Sequence, residues 1–299
     1  MADLSLDSLK VGGKAALSRA LALIEREPES ARVVDLLSAA YDAAVGHVIG
    51  MTGPPGVGKS SLMNSLVAAW RASGRTVGVI AVDPSSRRSG GALLGDRLHL
   101  ATDPEDQGVF VRSMAARDRL GGLAEITVAA MVLMRALFDK VAIETVGVGQ
   151  SETDVAAVAD TVLFCVQPGS GDMLQFMKAG IAEIPHIVAV TKADTGTPAV
   201  RAKVDVESAF NVDGGRNVAV LLVSARDNTG IDKLVAAIDA HGAAVDRRGV
   251  RQAQAAAWLE AAVRERFGRD GVRRAGALTL AAGQSPFRRL AEVTRELTR

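Results

Sequence analysis

A chain of 299 residues, 48% hydrophobic and 23% charged, can bury a core and is long enough for one large α/β domain with additions or for two domains; disorder is excluded as its ruling state. A net charge of +1 excludes the global positive field of a nucleic-acid-binding chain, and the lack of any uncharged apolar run of about 18 residues excludes a membrane-spanning helix. With aromatics at 3%, Ala, Val, Leu and Ile must build the core.

Residues 1–46 read as helical, because Leu17, Leu21, Leu23 and Ile24, then Val33, Leu36 and Leu37, recur at helical intervals between charges. The start, MADLSLDSLK, lacks the basic head and apolar centre of a secretion signal. Seven short β-rich runs follow, at 47–52, 77–82, 109–112, 140–146, 161–166, 186–191 and 218–224, with helical patterns between most of them. Apolar strands alternating with helices predict a mostly parallel sheet covered on both faces. This α/β domain is expected over residues 47–246. The remainder, 247–299, reads as a charged helix to about residue 268, a glycine-containing break and a terminal helix near 285–298. That tail is amphipathic and small, so it is expected to dock on a partner or on a second copy. The single cysteine, Cys165, lies in TVLFCV and reads as a buried core thiol. One cysteine makes no internal disulfide, which fits a reducing compartment, and the chain is expected to be cytoplasmic.

The segment GPPGVGKS, residues 53–60, fits G-x-x-x-x-G-K-[ST] at every fixed position, between an apolar strand and a helical pattern. Gly53, Gly56 and Gly58 allow backbone amides to turn inward around phosphate oxygens, with Pro54, Pro55 and Val57 completing the loop. The helix beginning at Lys59, Ser60 and Ser61 adds its N-terminal dipole. Lys59 is expected on the β- and γ-phosphates and the Ser60 hydroxyl on magnesium. Asp83 ends the second strand and Asp96 lies thirteen positions on, in a Gly- and Ser-rich loop. They are either solvated loop acids or magnesium ligands, and the phosphate loop beside them favours the metal.

ETVGVGQSE, 144–152, has the shape of a second switch. Glu144 stands where an acid faces magnesium, and the Gly147 amide where the γ-phosphate is sensed. Val148 occupies the place of the glutamine that orients water in Ras-type enzymes, and Gln150 comes later. Slow intrinsic hydrolysis, quickened by a partner or a loop movement, is therefore expected. QPGSGDMLQFMK, 167–178, offers Asp172, Gln175 and Lys178. On their own these read as a loop and helix start with solvated side chains.

Thr191-Lys192-Ala193-Asp194 follows the sixth run. A carboxylate at Asp194 can accept from both N1–H and N2–H₂ of guanine, whereas adenine offers neither donor there. The Lys192 stem can lie along the base. In VSARDNTG, Ser224, Ala225 and Arg226 resemble the element whose backbone amide donates to guanine O6. Together these predict a guanine-nucleotide site. Thr191 stands where Asn is usual and is expected to cost about 1 kcal/mol of affinity, the scale of one hydrogen bond.

With these segments assembled, the chain resembles the MeaB/MMAA-type P-loop GTPases, relatives of which carry the labels ArgK and LAO/AO transport ATPase. GPPGVGKS, VDPSS with GGALLGDR, ETVGVGQSE, QPGSGD and TKAD carry the resemblance, which runs from about residue 12 to the tail. It implies a P-loop G domain with a helical N-terminal extension and a C-terminal helical dimerisation arm. It implies a magnesium-dependent GTPase, forming GDP and phosphate, that gates cofactor loading and protects or reactivates an adenosylcobalamin-dependent acyl-CoA mutase such as methylmalonyl-CoA mutase. It assigns Asp83, Asp96 and Glu144 to the metal and Asp172, Gln175 and Lys178 to a third switch, reversing the solvated reading of those three. It also implies a homodimer and low intrinsic activity raised by the mutase. The chain departs from the pattern at Thr191, in VRSMAARD before the retained Leu-Gly-Gly, and in a short N-terminal extension. No D-x-H-x-x-G segment is present, so no cobalamin is expected on the chain itself. A nickel-enzyme maturation GTPase would want clustered Cys and His, yet His47, His99, His186 and His241 are far apart in sequence. A transport-linked kinase would need an acceptor site that no segment supplies.

Overall fold

The computed structural model describes residues 4–84, 103–116, 125–145, 154–169, 184–212, 218–281 and 283–298. Seven strands form one sheet: β1 (His47–Thr52), β2 (Val77–Pro84), β3 (Val109–Ala116), β4 (Lys140–Glu144), β5 (Thr161–Val166), β6 (Ile187–Val190) and β7 (Ala219–Leu222). Their order is β3-β2-β4-β1-β5-β6-β7, and every neighbouring pair is parallel. All residues of β1, β4, β5 and β6 are buried. That is why these runs are continuously apolar rather than alternating. β3 extends beyond the predicted residue 112, because its register with β2 continues to Pro84 opposite Ala116.

Successive residues of β5 serve opposite layers. Leu163 and Cys165 join the core of α3 (Lys59–Ala72) and α6 (Ile231–Ala244), with Leu62, Leu66, Trp70, Leu234 and Ile238. Phe164 and Val166 turn to the other face and meet Val206 and Phe210 of α5 (Thr197–Val212). The chain leaves β1 toward β2 on one side and β5 toward β6 on the other. The order therefore reverses between β1 and β5, and a crevice opens beyond their carboxyl ends, where ligands of such sheets bind.

The chain divides into two compact units, one of residues 47–123 and 140–245 that holds the sheet, the other of residues 1–46, 124–139 and 246–299. The second contains α1 (Leu6–Arg26), α2 (Ala31–Asp42), α4 (Glu125–Arg135), α7 (Arg247–Ala275) and α8 (Pro286–Leu297). Gly268, at φ 67°, breaks α7 at the end of the predicted charged helix. The tail does not wait for a partner to cover its apolar stripe. Leu259 and Val263 of α7 pack with Leu290 and Val293 of α8 and with Tyr41 of α2, and Trp258 stacks 4.9 Å from Phe287. Arg266 donates to Glu29 at 2.7 Å and Glu125 at 2.8 Å, tying α7 to the N-terminal helices and α4. The stripe is covered mainly within the tail itself, with Tyr41 added from more than two hundred residues earlier. No helix among the described residues is long and apolar enough to cross a membrane.

The amino ends of the strands carry a polar network. The Lys140 ammonium pairs with Asp239 and lies 3.3 Å from His47 Nδ1, so that nitrogen is the acceptor and Nε2 carries the proton. Thr161 Oγ1 is 2.7 Å from His47 Nε2 and 2.7 Å from His241 Nδ1; it accepts from the first and donates to the second. The ring of His186 stacks 4.3 Å from His241, and its Nδ1 accepts from the Val162 amide. The fold thus gathers three histidines that are distant in sequence. Even so, among the described residues no group of His, Cys, Asp and Glu is arranged to hold a metal. His99 lies outside them.

Burial pushes the His241 pKa below its ordinary 6.5, with Asp160 opposing. The folded state thus binds fewer protons at this ring than the unfolded chain. Its stabilisation is complete above pH 6.5 and declines as the pH falls below it. A His241→Asn variant, whose amide oxygen can still accept from Thr161, should lose less thermal stability between pH 7 and pH 5.5 than the wild type. Parallel melting curves would refute this by showing equal losses.

Candidate functional site

The phosphate loop leaves the carboxyl end of β1, the strand paired with β5. Gly53 has φ 138°, and a β-carbon there would stand 2.2 Å from the Cys165 carbonyl oxygen, so the loop can leave β1 only through glycine. Beneath it, burial pushes the Cys165 thiol up to about 12, which keeps it protonated and inert. Gly56 and Gly58 also take positive φ, at 78° and 94°, before α3 begins at Lys59. The loop carbonyls are taken by side chains. Lys59 Nζ donates to Gly53 O at 2.8 Å and Pro54 O at 3.0 Å. Lys192 Nζ donates to Gly56 O at 3.2 Å, and Thr191 Oγ1 reaches Val57 O at 2.7 Å. With its carbonyls held this way, the loop has the form that turns backbone amides toward an anion.

Glu144 ends β4, opposite Met51 of β1 and Ala81 of β2, and its side chain is buried. Ser60 Oγ donates to Glu144 Oε1 at 2.7 Å. Oxygens on adjacent corners of a magnesium octahedron, each at 2.0–2.1 Å from the ion, lie roughly 2.9 Å apart. The hydroxyl and carboxylate already stand near that spacing, and both are hard oxygen donors. These residues therefore fit magnesium. Next to them, Thr145 Oγ1 lies 3.2 Å from Thr52 Oγ1, and the Thr145 amide donates to Met51 O, fixing residue 145 to β1.

At the far end, Asp194 lies in a short 3-10 turn. Its Oδ1 accepts from Ser224 Oγ at 3.0 Å and its Oδ2 lies 3.7 Å from Arg226. Ser224 is itself fixed by two backbone bonds to Thr229. The loop turns back at Gly230, where a β-carbon would stand 2.2 Å from the Leu222 carbonyl. The Ala193 amide donates to Val223 O, which keeps the 191–194 and 224–226 segments side by side.

The fold thus brings together Gly53 to Ser61, Glu144, Thr191, Lys192, Asp194 and Ser224 to Arg226. Ser224 serves as an anchor for the acid, and the exposed guanidinium of Arg226 pairs with that same acid. Asp83 stands at the end of β2, but its side chain, Asp96, Gly147, Asp172, Gln175 and Lys178 lie outside the described residues. The sequence reading did not single out Gln167, which accepts from the Lys192 ammonium. Its signal was its position as the first residue after β5.

A parallel sheet with this strand order, a phosphate loop after β1 and an anchored acid after β6 define a P-loop nucleotide-binding protein of the GTPase class. The family described as methylmalonyl-CoA mutase-associated GTPase MeaB matches residues 17–274, and the chain belongs to that family. It is 34% identical to the GTPase ArgK of Escherichia coli, over 85% of this chain and 81% of that one. It is 37% identical to the mitochondrial methylmalonic aciduria type A homolog of Mus musculus, over 62% of this chain and 46% of the mouse protein. Among solved structures, an LAO/AO transport system kinase superposes with a TM-score of 0.67 at 26% identity, covering 98% of this chain and 96% of that one. The nickel complex of HypB from Helicobacter pylori shares the fold, with a TM-score of 0.53 at 16% identity over 70% of this chain and 93% of its own.

Thr191 Oγ1 lies within bonding distance of two carbonyls, Val57 O at 2.7 Å and Val166 O at 2.9 Å, yet a hydroxyl has one proton to give. An asparagine amide has two. Thr191→Asn should tighten GDP binding by roughly fivefold, about one hydrogen bond. Thr191→Val, whose side chain gives Val57 O nothing while the residue's backbone amide still serves Val166 O, should weaken it by a similar factor. Calorimetric titration of both variants measures this, and equal affinities across the three proteins would refute it.

Proposed function

We propose that the chain binds GTP with magnesium, hydrolyses it slowly to GDP and phosphate, and uses that cycle to gate cofactor loading and to protect or reactivate an adenosylcobalamin-dependent acyl-CoA mutase. The observation that carries the guanine half of this reading is the Asp194 carboxylate, anchored by Ser224 at the end of a loop that Lys192 ties to the phosphate site. Membership of a family described as associated with methylmalonyl-CoA mutase supports the other half.

The steps follow from the side chains. The loop amides and Lys59 hold the β- and γ-phosphates and offset charge as the terminal phosphoryl group departs. Ser60 and Glu144 hold magnesium directly or through water, with Asp83 and Asp96 proposed as further ligands. Magnesium neutralises phosphate charge when bound. The Gly147 amide is the proposed sensor of the γ-phosphate. Asp172, Gln175 and Lys178 are the proposed third switch, able to carry the nucleotide state to a partner. With Val148 in the place of a water-orienting glutamine, hydrolysis is slow until the mutase orders the site; each tenfold acceleration needs about 1.4 kcal/mol. The division into a helical extension over 1–46, a G domain over 47–246 and an arm over 247–299, the homodimer and the cytoplasmic location are part of the same reading. So is cobalamin binding by the mutase rather than by this chain, with neither nucleic acid nor membrane as a partner.

GTP should displace labelled GDP far better than ATP does. Asp194→Asn should shift preference toward xanthosine nucleotides, whose C2 oxygen accepts where guanine donates. Competition by ATP equal to that by GTP would remove the base assignment. Lys59→Ala should abolish hydrolysis, and full activity in that variant would remove the phosphate site. For the partner, a slowly hydrolysed GTP analogue loaded on the immobilised protein should capture a cobalamin-dependent mutase from native extract; recovery of a transport receptor without a mutase would sink that half.

A further inference from the structure

Lys192 takes a left-handed backbone conformation, φ 55°, at the end of β6, which sends its side chain back across the carboxyl end of β5 toward β1. Its ammonium bonds to Gly56 O at 3.2 Å and to Gln167 Oε1. β5 lies between β1 and β6 in the sheet, and Gln167 is the first residue beyond it. The amide therefore stands beneath the path the lysine must follow. An exposed lysine with four flexible methylenes loses substantial rotamer freedom when fixed, and the one long bond to Gly56 is a weak hold.

Resting on the guanine-nucleotide reading above, we propose that Gln167 is a positioning residue. It holds the Lys192 ammonium between two loops, so that the methylene stem forms a fixed shelf for the base. The side chain supplies an acceptor at the reach of the ammonium, and that acceptor is what the task requires.

The test is a binding cycle on the full chain. Gln167→Leu, close in shape but without the acceptor, should weaken GDP and GTP binding by about fivefold, the scale of one ordinary hydrogen bond. Gln167→Glu, which keeps an acceptor at the same reach, should bind within about twofold of wild type on the same scale. In a Lys192→Met background, Gln167→Leu should add nothing, which a merely structural role would not produce. Wild-type affinity in Gln167→Leu, or an undiminished effect of that change in the Lys192→Met background, would overturn the proposal. If wild type prefers ADP to GDP, the guanine reading fails instead, and the same cycle run with ADP still judges the Gln167–Lys192 link.

Discussion

A phosphate loop must present its amides to an anion, and its carbonyls must then find partners elsewhere. A buried carbonyl left without one is costly. In this chain the partners are long-range side chains. Lys59 takes Gly53 O and Pro54 O from the helix that follows, while Lys192 and Thr191 take Gly56 O and Val57 O from the end of β6. Two of these four bonds therefore exist because β6 ends beside the loop, and β6 ends there because β5 and β1 are paired in register. The phosphate loop and the 191–194 segment share one set of hydrogen bonds.

A long-range bond also joins Ser60 to Glu144. Glu144 is level with Met51 in β1 and with Ala81 in β2, so strand register places the carboxylate, while the phosphate loop brings the Ser60 hydroxyl to it at the start of α3. Asp83 lies two residues past the end of that register. Acids reached by strand pairing are preformed, and acids carried on loops answer to what the loops do.

Much of the nucleotide site was legible in the sequence because its chemistry is local. Eight consecutive residues specify the phosphate loop, and an acid two residues after a lysine at a strand end marks the proposed base reader. The seven strands were legible for a related reason: strands buried on both faces must be apolar throughout, and such runs stand out against helical periodicity. Ser224 was legible as part of a segment but not as the anchor of Asp194, because that bond spans thirty residues. Gln167 follows directly on β5, and nothing else in its neighbours marks it. Its meaning comes from lying between β1 and β6, which is a fact of strand order.

The sequence by itself determined the kind of site, since residue type at fixed spacing sets what a loop can bind. It also determined the succession of strands and helices, through apolar period. Tertiary structure decided which distant groups share a bond. It put Thr191 on the phosphate loop, gathered His47, His186 and His241 at the amino ends of the strands, and closed the tail against Tyr41 of α2. Each of these depends on strand order or on helix packing. Neither is written in any one segment, because each arises from burying all the apolar faces at once.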